Sequence, residues 1–248
     1  MARRGGDKLF KKEKEKSKSD FKRIVNNKNM VDDIIIACED SVSSPTYFKM
    51  IIEKLIEAKK ITQDSIVIVP HDDSTHPTGV LENFKSYKNE YGKIYKDFEH
   101  KWIVIDRDIE RVNGGGHTAE DFNNALKNAQ NRRSDLNIEV AYANDSFELW
   151  YLLHFDYRPT PILRDEVVKI LILKLKELEP YKFQKLNKDN IKKENYIKLI
   201  FEILLDKQPI AIKNAKKLLA SYGDNHNPQK DNPSTTIHLL VMIMNSLS

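Results

Sequence analysis

The sequence predicts an α/β protein: a parallel four-stranded sheet with flanking helices, followed by a C-terminal region made of helices alone. Three observations predict it. Short β-branched apolar runs alternate four times with stretches of helical spacing, and that alternation feeds right-handed crossovers into a parallel sheet. Each apolar run ends abruptly at polar residues, as strands buried on both faces do. Beyond Pro159 the strand pattern stops and only amphipathic helices remain. The expected organisation is a basic N-terminal arm over residues 1–30, an α/β domain over 31–158 and a helical region over 159–248.

Taken in order, Asp33 to Cys38 reads as the first strand and ends at Glu39. Pro45 stands where a helix should begin, and Tyr47, Met50, Ile51, Leu55 and Ile56 recur at helical spacing to about Lys60. Ser65 to Val69 is the second strand, closed by Pro70 and the polar loop HDDSTHPTG. A looser helical pattern runs from Gly79 to about Tyr95. The third strand, Trp102 to Ile105, ends in two aspartates, Asp106 and Asp108. A loop carrying Gly114, Gly115 and Gly116 leads to a helix from Ala119 to about Arg132. Asn137 to Ala143 is the fourth strand, and the very apolar DSFELWYLLHF follows. Later helices are expected over 163–178 and 190–205, from Pro209 to Ser221, and over 236–247 with Ser234 or Thr235 as cap.

The chemistry gathers around KWIVIDRDIE. If the extended conformation continues through Asp108, both aspartates point the same way with Cα atoms roughly 7 Å apart. Like charges that close disfavour joint ionisation unless a divalent cation stands between them. Asp-x-Asp after a strand is also a common polar turn, so the pair alone decides nothing. In parallel sheets, however, polar chemistry collects at the carboxyl edge of the strands, and Glu39, Asp106 and Asp108 are all expected there. An acid after strand 1 and a pair after strand 3 suit a phosphoryl-transfer site using Mg²⁺ or Mn²⁺. The aspartates would be ligands, and Glu39 a further ligand or the general base.

Composition narrows the setting. The single cysteine, Cys38, excludes an internal disulfide and a cysteine zinc cluster, so a reducing compartment, the cytoplasm, is expected. No apolar run approaches the roughly 18 residues that span a bilayer, and the N-terminus lacks the apolar core of a secretory signal. The net charge of +4 is unevenly spread. Residues 1–29 hold 11 Lys and Arg against 4 Asp and Glu, a net +7 that leaves the remaining 219 residues at −3. The arm reads equally as a solvated tail or as a holder of polyanion phosphates, with Arg3, Arg4, Lys11 and Lys12 as the nucleic-acid-binding candidates.

Several stretches carry a family likeness. The basic start ARRGGDKLFKK, IIIACEDSVSSPTYFK, WIVIDRD, NDSFELWYLLHF, and a late NAKKLL with NPSTTIHLLV together resemble the RloB-like family over nearly the whole chain. FELWYLLHF in this position is the most specific of these segments. The resemblance implies a Toprim core with catalytic Glu39 and metal-binding Asp106 and Asp108. It also implies a role in bacterial defence against phage beside a separate ATPase partner; similar Toprim effectors are nucleases, some of which cut tRNA. One departure stands out. Toprim glutamates are usually followed by glycine, whereas Asp40 follows here, so either the loop differs or Asp40 adds a fourth acid.

Glu148 has two readings. With Asp145 as N-cap it stands at the third helical position, where a capping box would merely close the helix end. Alternatively it is an acid near the same edge, available to a second metal or to substrate. The functional reading is preferred, because a carboxylate in an otherwise apolar segment needs a partner. His71 and His76 read as solvated loop hydrogen-bonders, His154 as a core histidine, Arg107 as a structural ion-pairing residue and Cys38 as a small core residue. GGGHTAE lacks a P-loop lysine, so ATP hydrolysis by this chain is not expected. The helical region shows no catalytic cluster.

The leading expectation is therefore a metal-dependent nuclease acting on RNA or DNA. A haloacid-dehalogenase-type phosphatase is one rival, yet its acid pair follows the first strand of the sheet, whereas two strand-helix units precede this one. A primase-like enzyme would carry a zinc segment that is missing here. The non-enzymatic rival is a regulatory subunit whose helices dock an ATPase.

Overall fold

The computed structural model describes residues 33–72, 76–109, 118–131 and 137–247. Its framework is a five-stranded sheet built from β1 (Ile34–Cys38), β2 (Ile66–Ile68), β3 (His100–Asp106), β4 (Glu139–Asn144) and β5 (Ser234–Thr235), in the order β2-β1-β3-β4-β5. The first four strands run parallel, as expected; β5 joins antiparallel to β4, pairing Ala143 with Thr235 and Asn144 with Ser234. A fifth strand was not expected. The sequence pattern offers Ser234 or Thr235 only as a helix cap. In fact Thr235 Oγ1 donates to the Tyr142 carbonyl at 2.7 Å and also accepts from the Ile237 amide at 3.2 Å, so the residue serves strand and helix together.

The period-two geometry of the strands divides the core. Ile34, Ile36, Trp102, Val104, Ala141 and Ala143 face one way, and Ile35, Ala37, Ile103, Ile105, Val140 and Tyr142 the other. The second face is covered by α2 (Pro77–Ser86) and α3 (Ala119–Ala129), through Val80, Leu81, Phe84, Phe122 and Ala125. The first face is covered by α1 (Ser43–Glu57) and α4 (Glu148–Leu152). Its buried cluster continues without a break into α5 (Arg164–Leu178), α6 (Glu194–Leu204), α7 (Gln208–Ala220) and α8 (Ile237–Ser246). One core thus runs across residue 159, where the helical region was expected to start.

Two boundaries moved for local reasons. The helix expected to reach Tyr95 stops at Ser86. Asn89 Oδ1 accepts from the Tyr91 and Lys93 amides, an alternative to helical bonding, and Gly92 takes a φ of +82°. The helix expected to begin at Pro45 begins at Ser43, because Asp40 already satisfies its first amides (below). Why FELWYLLHF is so apolar is plain from its surroundings: Phe147, Leu149, Trp150, Tyr151, Leu152 and Leu153 are all buried. Tyr47 of α1 packs edge-on against Phe147, Trp150, Tyr151 and Phe201, at centroid distances of 5.3 to 6.3 Å. Each such pair adds about 0.5–1.5 kcal/mol beyond area burial, so this cluster fixes α4 against the sheet. No helix among the described residues is long and apolar enough to cross a membrane.

Candidate active site

Because β1, β3 and β4 are parallel and in register, their carboxyl ends deliver side chains to one rim. Cys38 pairs with Val104, and Asp106 with Ala143. Glu39 follows β1 directly. Its amide donates to the Val104 carbonyl, and its Oε2 accepts from the Asp106 amide at 2.9 Å. The first and third strands therefore bring Glu39 and Asp106 together as the sequence predicted.

Asp108 behaves otherwise. β3 ends at Asp106, and Asp108 has a φ of +27°, so the extended geometry that would have aligned the two aspartates is broken. The Asp108 carboxylate is instead ion-paired with Arg164 Nη1 at 3.0 Å, while its amide donates to the Asp145 carbonyl. Arg107 turns to the other face of the sheet. It is buried, with its guanidinium 6.0 Å from the Phe122 ring centroid, and burial lowers its pKa.

The capping box at Asp145 and Glu148 is not formed. Asp145 spans two other segments: Oδ1 accepts from the Ile109 amide at 2.8 Å and Oδ2 from the Arg164 amide at 3.0 Å. Glu148 is 1% exposed, with both carboxylate oxygens shut from solvent, and the Ser146 side chain and its own backbone amide favour its charged form. Lys192 Nζ approaches Oε1 at 3.3 Å. Burial alone would raise the Glu148 pKa, but the charges of Lys192 and Arg164 bring it below the usual value. At Asp106 the balance falls the other way. Burial first, then the Glu39 and Glu148 carboxylates, push its carboxyl well above the ordinary aspartate range, with Lys192 opposing them.

Asp40 resolves the departure noted in the sequence. Its carboxylate accepts from the Val42 and Ser44 amides at 3.0 Å and from the Ser44 hydroxyl, closing the start of α1. It is a helix-capping acid first, though its charge still raises the Asp106 pKa. His71 Nε2 lies 2.8 Å from the Glu39 carbonyl oxygen, and His76 caps α2 through the Gly79 amide. His154 is buried beside the Trp150 carbonyl, as expected of a core histidine. The arm candidates Arg3, Arg4, Lys11 and Lys12, and the loop glycines 114–116, lie outside the described residues.

Two residues of the rim were not anticipated, Arg164 and Lys192, both supplied by the region expected to hold no catalytic cluster. For Arg164 a signal existed: it opens α5, where a cation opposes the helix dipole, so its charge answers to something else. Lys192 carried none, being one lysine among many.

Among the described residues no three His, Cys, Asp or Glu side chains form a ready-made metal cage. In charge and donor type the rim nonetheless suits a hard divalent cation. Glu39, Asp106 and Glu148 offer oxygens only, Asp106 is disfavoured as an anion without a counter-charge, and the Glu148 oxygens are shut from solvent beside a single flexible lysine. These three are the residues that could hold Mg²⁺ or Mn²⁺, with Asp108 beside them on Arg164.

Fold and rim together define a mostly parallel α/β protein with an acidic carboxyl edge crossed by two cations. The family model for RloB-like proteins matches residues 34–244, and the chain belongs to that family. No curated protein and no solved structure matches it.

Proposed function

We propose that this chain is a Mg²⁺- or Mn²⁺-dependent nuclease of Toprim type that cleaves phosphodiesters in RNA, tRNA among them, or in DNA. We also propose that it serves as the effector of a bacterial anti-phage system, beside a separate ATPase. The observation that carries the reading is the half-buried Asp106 carboxylate in the field of Glu39 and Glu148, an excess of negative charge at a sheet edge. When bound, the divalent cation would supply Lewis-acid charge at a phosphate oxygen and make a bound water more acidic.

The chain's own residues divide the remaining work. Glu39, oriented by the Asp106 amide, is the group to accept a proton from attacking water. Asp106 and Glu148, together with Glu39, would hold the cation. Arg164 and Lys192 add positive charge at the rim, of the kind that attracts and orients a phosphate.

Purified wild type and Asp106→Ala, incubated with tRNA, bulk RNA and plasmid in Mg²⁺ or Mn²⁺, test the reading. Cleavage by the wild type alone is the expected result; equal cleavage by Asp106→Ala overturns it. One observation favours a non-catalytic second reading: Arg164 and Lys192 already neutralise Asp108 and Glu148 from within. On that reading Asp106→Ala spares biological function, and disruption of the exposed face of α8, where Leu239 is 39% exposed, abolishes it.

A further inference from the structure

The two cations at the rim are anchored differently. Arg164 is fixed at both ends, its amide on Asp145 Oδ2 and its guanidinium on Asp108 at 3.0 Å. Lys192 lies in the segment before α6 with its side chain 39% exposed, and Glu148 is its one ion-pair partner among the described residues. Glu148 in turn has both oxygens shut from solvent, and Lys192 is the largest of the charges that hold it ionised. A buried carboxylate in that condition depends on whatever cation reaches it. A lysine ammonium is a compact charge on a flexible stem, able to swing away without moving the backbone.

We propose that Lys192 is a resident counter-ion of the acid rim: its ammonium holds Glu148 in the metal-free protein and leaves when a divalent cation enters. The proposal rests on the cation-binding part of the reading above. It deepens that reading by giving the site a built-in competitor. In the metal-free chain Lys192 keeps the acid cluster from repelling itself; with the cation bound, the released ammonium sits at the rim where a substrate phosphate would arrive. Arg164 cannot play this part, because its departure would strand Asp108.

The test uses the full chain, stripped of metal with EDTA and titrated with Mn²⁺, whose free-ion signal is followed by electron paramagnetic resonance. Lys192→Met keeps the stem and removes the charge. It is expected to bind Mn²⁺ at least about tenfold more tightly than wild type, the factor that roughly 1.4 kcal/mol of relieved competition produces. Its melting temperature, lowered in EDTA, is expected to return to the wild-type value in Mn²⁺. Lys192→Arg, which keeps the charge, is expected to retain affinity close to wild type. If Lys192→Met folds only when Mn²⁺ is present, that dependence reads the same exchange.

Unchanged or weaker Mn²⁺ binding by Lys192→Met overturns the proposal, as does a stability loss that Mn²⁺ fails to restore. The two failures separate cleanly. Binding by wild type that needs Asp106 but ignores Lys192 sinks only the counter-ion; no binding by wild type sinks both the counter-ion and the metal-dependent reading.

Discussion

Asp145 joins three segments of the rim through one carboxylate and one carbonyl, and Asp145→Ala measures what that junction is worth. Oδ2 accepts from the half-buried Arg164 amide at 3.0 Å, and Oδ1 from the Ile109 amide at 2.8 Å. Hydrogen bonds to a charged acceptor contribute about 1.5–3 kcal/mol each. Ile109 is 36% exposed, so water replaces part of its bond, and about 1 kcal/mol is assigned there against about 2 kcal/mol at Arg164. The expected loss is about 3 kcal/mol, which for a chain of this length lowers the melting temperature by about 6–12 °C. Asp145→Asn keeps one acceptor oxygen and should lose about half as much. Circular dichroism melts in EDTA give the answer. A variant Asp145→Ala melting within about 2 °C of wild type would refute the junction.

Other outcomes follow from the buried ionisable groups. Asp106 has a raised carboxyl pKa, chiefly through burial and then through Glu39 and Glu148, so the folded chain retains a proton that the unfolded chain releases. Stability is therefore lost as pH rises from the ordinary aspartate value toward the raised one. In EDTA, Asp106→Asn should melt above wild type near neutral pH and converge with it near about pH 4; a variant that melts below wild type at neutral pH contradicts this. His154 titrates in the opposite sense. Burial lowers its pKa from 6.5 to about 4, so stability present above 6.5 is lost as pH falls toward 4. The difference corresponds to about 3 kcal/mol, and His154→Leu should flatten the fall of the urea midpoint over that interval. An unchanged slope counts against it.

Much of the scaffold was legible because it follows from local pattern. The apolar runs IIIAC and WIVID and the alternation between them set the strand identities, and the parallel direction of the first four strands followed from crossover geometry. Glu39 and Asp106 could be matched across 67 residues because parallel strands end at a common edge. What failed depended on backbone detail or on distant packing. Aligning Asp108 with Asp106 requires the strand to persist two residues further than it does. The capping box, the reading of Glu148 set aside in favour of a functional acid, does not form because the Asp145 carboxylate has better donors in the Ile109 and Arg164 amides, neither visible as a neighbour in the sequence. Lys192 reaches Glu148 from a segment 44 residues away, and no periodicity singles out one lysine among so many. β5 is only two residues long, too short to leave an alternating pattern.

The claim on which the account turns is that the acids at the ends of β1 and β3, with Glu148 behind them, bind a divalent cation. Mn²⁺ titrated into EDTA-treated protein near neutral pH tests it directly. The account predicts saturable binding by wild type that Asp106→Asn abolishes; Mn²⁺ bound with equal affinity by both proteins would contradict it.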